Sequence, residues 1–242
     1  MLEQILVNIQ TLTSQGQKCL VVFDLDSTLF DVSPRIHRIL LDFADQPENK
    51  ARFPDQVALF KDIQTKHTDW GITNALQRAG LDGHHEEFQI AVHDFWHKSF
   101  FSNEYLKYDM PHEGAVAYVH AVIHAGAEVR YLTGRDVVRM GPGTVEEIKQ
   151  WNLPLSENAQ LVLKPDKKMD DAKFKTDWFI DALTSGYDRI IFFDNEPVIL
   201  HLMAERCPEV ESIFFDSTHS GKAEPPADLP RIVNFLLRNK DS

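Results

Sequence analysis

The sequence predicts an α/β fold in which a doubly wound parallel sheet carries an inserted, all-helical domain. Near the N-terminus, and again beyond residue 109, apolar runs of strand length alternate with amphipathic segments of helix length. Such alternation is typical of βαβ units. Between these two regions the apolar residues follow helical spacing, and no run of strand length occurs. We therefore expect a core domain made of residues 1–31 and 109–242, and a helical domain made of residues 32–108.

The core elements are predicted in chain order. A first helix spans residues 2–14, where apolar residues fall on one face, and it ends at Gly16. The run CLVVFDL at 19–25 is apolar at nearly every position, which is typical of a strand covered on both faces. Beyond the insertion, strands are predicted at 127–133, 159–164, 188–194 and 211–216, and helices at 112–125, 144–151, 173–184, 197–206 and 229–238.

The inserted segment is predicted to contain several helices divided by short connecting stretches. The stretches DQPENKARFP, HTDW and GLDG carry the residues that usually interrupt helices. The helices predicted between them span residues 34–44, 55–66, 70–80 and 84–101.

The composition fits a folded protein and argues against several functional classes. Hydrophobic residues make up 43% of the 242 residues, which is more than a disordered chain carries. A formal net charge of −12 argues against non-specific binding to nucleic acid or to an anionic membrane. No apolar run reaches the roughly 20 residues of a membrane helix, and no secretory signal is recognisable. Because Cys19 and Cys207 lie in apolar surroundings, we expect free thiols and a cytoplasmic location.

Three predicted strands end in polar, reactive residues. Asp24 and Asp26 follow the first strand, Thr133 and Gly134 follow the second, and Asp194 closes a later one. In open α/β sheets, ligands bind at the carboxyl ends of the strands. We therefore expect these side chains to converge on one crevice.

In the order and placement of its motifs, the chain resembles a phosphatase of the haloacid dehalogenase (HAD) superfamily. The matching residues are Asp24, Asp26 and Thr28 in DLDST, Thr133 in VRYLTGR, Lys175 in DDAKFKTDW and Asp194 in IIFFDNEP. These motifs occur in the family order between residues 20 and 197. The resemblance implies a Rossmann-like core, and it implies that the insertion is a helical cap of the C1 type, which closes over the site and selects the substrate.

The resemblance also assigns roles to the carboxylates. Asp24 would be the nucleophile that forms an aspartyl-phosphate, and the Asp26 side chain would be the general acid and base. Mg²⁺ would be held by Asp24, Asp194 and the backbone carbonyl of Asp26. The chemistry agrees, because Mg²⁺ prefers carboxylate ligands and neutralises the repulsion between them and an anionic substrate. Since two neighbouring carboxylates can share a proton, one member of the Asp24–Asp26 pair could remain protonated.

The remaining roles concern phosphate binding and orientation. Thr133, Gly134 and Lys175 would hold the phosphoryl oxygens, and Thr28 would orient the loop that carries the nucleophile. Lys173 and Lys164 are weaker alternatives to Lys175, which we favour because the amphipathic run TDWFIDAL follows it directly.

Other polar residues near these motifs have roles that the sequence leaves open. Arg135 could hydrogen-bond phosphate or hold a loop carboxylate. Asn195 could bind a metal-bound water, and Glu196 could cap the helix that Pro197 opens.

Two further features could contribute to specificity. His85, His93 and His97 lie near one face of a predicted helix of the insertion, and a solvated or substrate-facing stripe is favoured over a zinc site there. The loop DSTHSGK near residues 216–222 follows a strand, so it could rim the site, although a flexible surface loop is the favoured interpretation.

These observations together predict an Mg²⁺-dependent phosphomonoester hydrolase that acts on a small phosphorylated metabolite, without nucleic-acid or membrane partners. The alternatives are a phosphotransferase or phosphomutase of the same superfamily, a nucleotide or nucleic-acid end phosphatase, and a non-catalytic binding protein with this fold. The acidic net charge weighs against a nucleic-acid substrate.

Overall fold

The structure is a computed structural model that describes residues 1–81, 83 and 85–237. Its main sheet has six parallel strands in the order β5-β4-β1-β6-β7-β8, and β2 and β3 form a separate antiparallel pair. The strands are β1 (Cys19–Phe23), β2 (Phe30–Asp31), β3 (Met110–Pro111), β4 (Glu128–Asp136), β5 (Ala159–Lys164), β6 (Arg189–Asp194), β7 (Glu211–Phe215) and β8 (Arg231–Ile232). This architecture confirms the predicted doubly wound parallel sheet.

Ten α-helices of the described residues surround the sheet and form the insertion. They are α1 (Leu2–Ser14), α2 (Ser33–Asp45), α3 (Pro47–Arg52), α4 (Pro54–Ala58), α5 (Thr73–Arg78), α6 (Glu86–Phe100), α7 (Ala115–His124), α8 (Val137–Gln150), α9 (Asp171–Leu183) and α10 (Pro197–Arg206). Two 3-10 turns, Leu59–Asp62 and Leu106–Tyr108, also belong to the insertion. The segment between β2 and β3 contains the helices α2 to α6 and no strand among the described residues, so the insertion is helical.

The strand β1 lies in the middle of the sheet and is buried at all five positions. Val21 and Phe23 face one apolar core, which includes residues of α1 and α7, whereas Leu20 and Val22 face a second core with residues of α9 and α10. Successive side chains of a strand point to opposite faces. The unbroken apolar run of β1 is therefore explained by helices packed on both faces of the sheet.

The connections place a topological switch point beside β1. The chain runs from β1 to β4 and β5 on one side, and then returns to β6, β7 and β8 on the other side. In open α/β sheets the ligand crevice lies at such a point, outside the carboxyl ends of the strands. The fold thus directs attention to the residues that follow β1, β4 and β6.

The insertion has an apolar core of its own. Phe43, Phe60 and Phe88 are almost completely buried and their rings lie about 6 Å apart, with centroid distances of 6.0 and 6.1 Å. The insertion joins the main domain through the two short strands β2 and β3, in which Phe30 pairs with Pro111. These two strands lie in the segments FDVSPR and LKYDMPHE, where the chain enters and leaves the insertion.

The predicted helix at 229–238 is wrong for the described residues, and residue 238 lies outside them. Arg231 and Ile232 extend the sheet as β8, because Phe214 N donates a hydrogen bond to the Pro230 carbonyl at 2.9 Å. The chain then runs back to the core, where the Phe235 ring stacks on Phe215 with centroids 5.1 Å apart. A buried aromatic contact therefore overrides the helical spacing of this segment.

Four other elements differ from the prediction. The helix α8 begins at Val137 instead of residue 144, because Asp136 accepts a hydrogen bond from Arg139 N at 3.0 Å and caps it despite the internal Pro142. The stretch predicted to divide the first two helices of the insertion contains the helix Pro47–Arg52. The predicted helix 55–66 is split into α4 and a 3-10 turn, and the predicted helix 70–80 is shortened to Thr73–Arg78.

Cys19 and Cys207 are buried and free, as predicted. Within the described part of the chain, no helix has both the length and the apolar character needed to cross a membrane.

A substitution at Gly114 tests how closely the C-terminal segment packs against the core. Gly114 has φ +80°, and a Cβ at this position would lie 2.5 Å from the Phe235 carbonyl carbon. We expect Gly114→Ala to lower the free energy of unfolding by more than the roughly 1–2 kcal/mol of left-handed strain, because the backbone must also move. Gly186→Ala is the matched control, since Gly186 has φ +79° and no heavy atom within 4 Å of the added Cβ. Urea unfolding measures both, and equal losses would contradict the close approach.

Candidate active site

Asp24 begins a tight loop at the carboxyl end of the central strand. Its backbone N–H donates to the Phe193 carbonyl at 3.0 Å, so the ladder between β1 and β6 extends to the first residue of the loop. The loop is closed by hydrogen bonds from Phe30 N to Leu25 O at 2.9 Å and from Ser27 N to Phe30 O at 2.7 Å. Ser27 has φ +63°, a region that non-glycine residues seldom adopt. The loop therefore has a fixed backbone that holds the Asp24 side chain beside the end of β6.

Lys175 joins Asp24 to Asp194. Its Nζ donates to Asp24 Oδ1 at 2.6 Å and to Asp194 Oδ2 at 2.7 Å. Lys175 and Asp24 are 3% and 5% exposed, and Asp194 is completely buried. A residue in the second turn of α9 thus bridges the ends of two neighbouring strands, as the motif order predicted.

The other two candidate lysines lie elsewhere. Lys164 pairs with Asp171 and donates to the Met169 carbonyl at 3.0 Å. Lys173 pairs with Asp177 on the exposed face of α9. Of the three candidates, Lys175 is the one that contacts the carboxylates at the strand ends.

Burial dominates the electrostatics of the Asp24–Asp194 pair. Burial raises the pKa of Asp24 to about 7; Lys175 opposes this shift and the Asp194 charge adds to it. Burial likewise raises the pKa of Asp194, against the effect of Lys175. For Lys175, burial favours the neutral amine, but the charges of Asp194 and Asp24 outweigh it and raise the pKa of the ammonium group. The three groups therefore form a buried cluster of one ammonium group and two carboxyl groups. The single positive charge can neutralise only one of the two carboxylates.

Asp26 has a different environment from Asp24, although only Leu25 separates them. Its Oδ1 accepts hydrogen bonds from Arg35 Nη2 and, at 2.7 Å, from Arg135 Nη2, and its Oδ2 accepts one from Arg135 Nε at 3.0 Å. Burial opposes ionisation, but Arg135 and Arg35 outweigh it and lower the pKa of Asp26. Because guanidinium groups only donate, the Asp26 carboxyl is held as an anion. The environment thus favours the protonated form of Asp24 and the anionic form of Asp26.

These contacts answer the open question about Arg135. Its side chain is buried and holds carboxylates, with Glu147 as a further partner besides Asp26. The interpretation as a residue that holds a loop carboxylate therefore describes its position in this structure.

The loop at residues 216–222 is tied to the site, so the interpretation as a flexible surface loop is wrong. Ser217 Oγ donates to the Ser27 carbonyl at 2.6 Å. Thr218 is buried, and its carbonyl accepts a hydrogen bond from Asn195 Nδ2. Asn195 Oδ1 in turn accepts a hydrogen bond from Thr28 Oγ1 at 3.1 Å. Thr28 and Asn195 therefore connect the loop after β1 to the loop after β7.

Glu196 caps the helix α10, which agrees with the role considered for it from the sequence. Its side chain accepts hydrogen bonds from Val198 N at 3.4 Å and from Ser220 N at 2.9 Å. The Glu196 backbone N–H donates to Asp194 Oδ1 at 2.8 Å. The start of α10 therefore holds one oxygen of the Asp194 carboxylate, and Lys175 holds the other.

Thr133 and Gly134 lie at the end of β4, as predicted. Thr133 is buried, and its Oγ1 accepts a hydrogen bond from Arg135 N at 3.2 Å, so its own proton remains available to an oxygen acceptor. A Cβ at Gly134 would lie 2.7 Å from the Asp171 carboxylate. A larger residue at this position would therefore have to displace the Asp171 side chain.

The predicted metal ligands provide oxygen atoms of the type that Mg²⁺ prefers. Asp24 and Asp194 reach one ammonium nitrogen, so they lie close enough to share a cation. Among the described residues, no backbone hydrogen bond is made to the Asp26 carbonyl oxygen. In the same residues, no group of three or more His, Cys, Asp or Glu side chains could hold a metal ion. Two carboxylates with one backbone carbonyl fit Mg²⁺, which often keeps several water ligands.

The histidine stripe of the insertion lies mostly at the surface. His85 and His97 are exposed, and His93 is half-buried with its ring 6.3 Å from that of Trp96. This position agrees with a solvated stripe. No contact of these three side chains with Asp24 or Lys175 is present in the described residues.

Comparison with known structures shows which fold this is. A HAD-superfamily hydrolase from Ehrlichia chaffeensis superposes with a TM-score of 0.52 at 14% identity, covering 90% of this chain and 93% of that chain. A HAD-superfamily hydrolase of subfamily IA, variant 1, from Geobacter sulfurreducens has a TM-score of 0.50 at 14% identity, covering 91% and 93%. The chain has the haloacid dehalogenase fold. No protein-family model matches the sequence, and no curated protein matches it.

Within the haloacid dehalogenase fold, sequence reasoning missed several residues around the site. Arg35 and Asp109 are completely buried and ion-paired, as is Glu147 at 1% exposure, although no motif marks them. The contacts of Ser217 and Thr218 were missed as well. A weak signal was present for Arg35, since it is a charged residue on the otherwise apolar face of α2.

The raised pKa of Asp24 predicts a pH dependence of stability. Its pKa rises from an ordinary value of 3.8 to about 7, so the folded state binds this proton more tightly than the unfolded state. The stability that Asp24 contributes is therefore complete below about pH 4 and is lost as the pH rises to about 7. In metal-free buffer, we expect the free energy of unfolding of Asp24→Asn, relative to wild type, to increase between pH 5 and 7 and then to level off.

Urea unfolding at several pH values measures this difference. Asp177→Asn, which changes a half-buried aspartate on α9 that pairs with Lys173, is the control and should show no such increase. A difference between Asp24→Asn and wild type that stays constant from pH 5 to 8 would contradict the prediction.

Proposed function

We propose that the protein is an Mg²⁺-dependent phosphomonoester hydrolase that acts on a small phosphorylated metabolite through an aspartyl-phosphate on Asp24. The observation that carries this proposal is the bridge from Lys175 to Asp24 and Asp194 at the carboxyl ends of β1 and β6. It combines a buried carboxylate nucleophile, a second carboxylate and a fixed positive charge at the place where this fold binds ligands.

Asp24 is the nucleophile in this proposal. In its anionic form, one carboxylate oxygen of Asp24 forms a bond to phosphorus while the bond between phosphorus and the ester oxygen breaks, which gives an acyl phosphate and an alkoxide that leaves as the alcohol after taking up a proton from Asp26 or from water. Water then attacks the phosphorus of the acyl phosphate and restores the free carboxylate. The hydrogen bond from Lys175 and the fixed loop that begins at Asp24 N restrict the carboxylate to one orientation.

Lys175 and Thr133 stabilise the phosphoryl oxygens. The ammonium group supplies a positive charge, and the Thr133 hydroxyl has a proton to donate because its oxygen already accepts from Arg135 N. Such prearranged donors lower the barrier because charge develops on the phosphoryl oxygens in a site from which water is largely excluded. Mg²⁺, when bound by Asp24, Asp194 and the Asp26 carbonyl, would neutralise the remaining negative charge.

In the proposed reaction, Asp26 transfers protons. Asp26 is an anion in this structure, and as a base it would accept a proton from the attacking water. To donate a proton to the leaving alcohol it must first acquire one, and Arg35 and Arg135 oppose this. The same two arginines oppose the uptake of a proton from water, so both roles of Asp26 require its contacts with them to weaken during the reaction.

The first activity prediction concerns the nucleophile. We expect Asp24→Asn to reduce kcat for p-nitrophenyl phosphate by about three orders of magnitude or more, because an amide cannot form the acyl phosphate. Phosphate release gives the rate, and Asp177→Asn should retain wild-type kcat. If Asp24→Asn retains full activity, the proposal fails. A panel of metabolite phosphates assayed with the wild-type protein identifies the substrate class, and isomerisation of a sugar phosphate without phosphate release would indicate a mutase instead.

The second activity prediction concerns the metal. We expect chelation with EDTA to remove activity and added Mg²⁺ to restore it. Because Asp194 is a proposed ligand, Asp194→Asn should raise the Mg²⁺ concentration for half-maximal activity about 10-fold or more. Full activity in EDTA, for both wild type and Asp194→Asn, would show that the reaction does not use this metal site.

A further inference from the structure

Two arginines and two carboxylates form a closed ring of ion pairs next to Asp24. Asp26 accepts hydrogen bonds from both Arg35 and Arg135. Asp109 also faces both arginines, with its Oδ2 3.0 Å from Arg135 Nη2 and its Oδ1 2.9 Å from Arg35 Nε. Positive and negative charges therefore alternate around the ring, and each carboxylate lies between two guanidinium groups. We call these four residues the arginine ring.

The members of the arginine ring come from different parts of the chain. Arg35 lies on α2 of the insertion, whereas Asp109 immediately precedes β3. Asp26 lies in the loop after β1, and Arg135 lies in β4. The ring is thus the place where the first helix of the insertion is joined by charge to the loop that carries Asp24.

Arg35 has little freedom to move within the insertion. Its side chain is completely buried, and its Nη1 donates to the Phe100 carbonyl at 3.2 Å. Its guanidinium carbon also lies 4.0 Å from the centre of the Phe100 ring. Because Phe100 ends α6 and Arg35 belongs to α2, two helices of the insertion together determine where the guanidinium points.

The exposure of the ring indicates which side faces the site. The side chains of Arg35 and Asp109 are 0% exposed and that of Arg135 is 1% exposed, whereas 29% of the Asp26 side chain is accessible. A buried ion-pair network is weak evidence for added stability, since apolar residues often replace one at no loss. Asp26 is the one carboxylate of the ring that solvent can reach, and both arginines bind it. This arrangement argues that the ring orients Asp26.

We propose that Arg35 is a positioning residue, through which the docked insertion fixes the orientation of the Asp26 carboxylate relative to Asp24. Without Arg35, Asp26 would keep the two hydrogen bonds from Arg135 but would lose the partner that comes from the insertion. This proposal rests on the proposed function, because it assigns Arg35 an effect on the reaction through Asp26.

The test is a double-mutant cycle between Arg35 and Asp26 with p-nitrophenyl phosphate. Its leaving group needs little protonation, so that Asp26→Asn retains measurable turnover. In the wild-type background we expect Arg35→Met to lower kcat about 10- to 100-fold with KM changed less than about threefold, and Arg35→Lys to recover part of the loss. In the Asp26→Asn background, Arg35→Met should change kcat less than about twofold, since the residue it positions is no longer a carboxylate.

Arg38→Met is the matched control, because Arg38 lies one turn further along α2 and pairs with Asp42 at the surface. It should leave kcat unchanged. Phe100→Leu covers the case in which Arg35→Met does not fold, since it keeps the guanidinium and removes the ring beneath it. Its loss of kcat should be smaller than that of Arg35→Met and should also disappear in the Asp26→Asn background.

The outcomes separate this inference from the proposed function. If wild-type protein is active and requires Asp24, but the Arg35 and Asp26 losses multiply, the arginine ring is structural and the positioning role is overturned alone. An equal loss in Arg38→Met would overturn it as well. If wild-type protein has no phosphatase activity, or if activity survives Asp24→Asn, the proposed function fails, and the positioning role fails with it.

Discussion

The ion pairs from Lys175 to Asp24 and Asp194 are the interaction on which the rest of the site depends. Parallel strands end at the same edge of a sheet, so β1 and β6 bring two aspartates into a buried position where their charges repel. One ammonium group compensates one of these charges, and breaking such a buried pair typically costs about 3–5 kcal/mol. The position of α9 and the capping of α10 both hold this arrangement. The uncompensated charge makes the same cluster suited to a divalent cation.

The division of charge between two separate clusters explains how neighbouring aspartates can differ. Asp24 faces Lys175 and is dominated by burial, which favours its protonated form. Asp26 lies two residues further along a tight loop and faces Arg35 and Arg135, which favour its anion. The backbone hydrogen bonds of this loop and the positive φ of Ser27 direct the two side chains to different neighbours. The local conformation of the loop thus gives two chemically identical groups opposite proton affinities.

The sequence was informative where structure depends on local pattern. The apolar run of β1 predicted a strand buried on both faces, and the residues after the strands identified the position of Asp24 and Asp194. Lys175 could be chosen over Lys173 because one helical register places it beside the strand ends. The arginine ring was not predictable, since its contacts join residues up to 109 positions apart and no spacing rule connects them. The final segment was mispredicted as a helix because burial of Phe235 in the core overrides helical spacing.

Charge also connects the insertion to the proposed chemistry. Asp24, Asp194 and Lys175 are almost completely buried, and the insertion lies beside them through Arg35 and its partner Asp26. Because Arg35 belongs to the insertion, any movement of α2 away from the core removes one of the two cations from the arginine ring. Arg135 would then face Asp26, Asp109 and Glu147 alone, an imbalance that favours return of the insertion. In the proposed reaction, closure over the substrate and restoration of the arginine ring are therefore the same event, and Asp26 acquires its final orientation only when the site is closed.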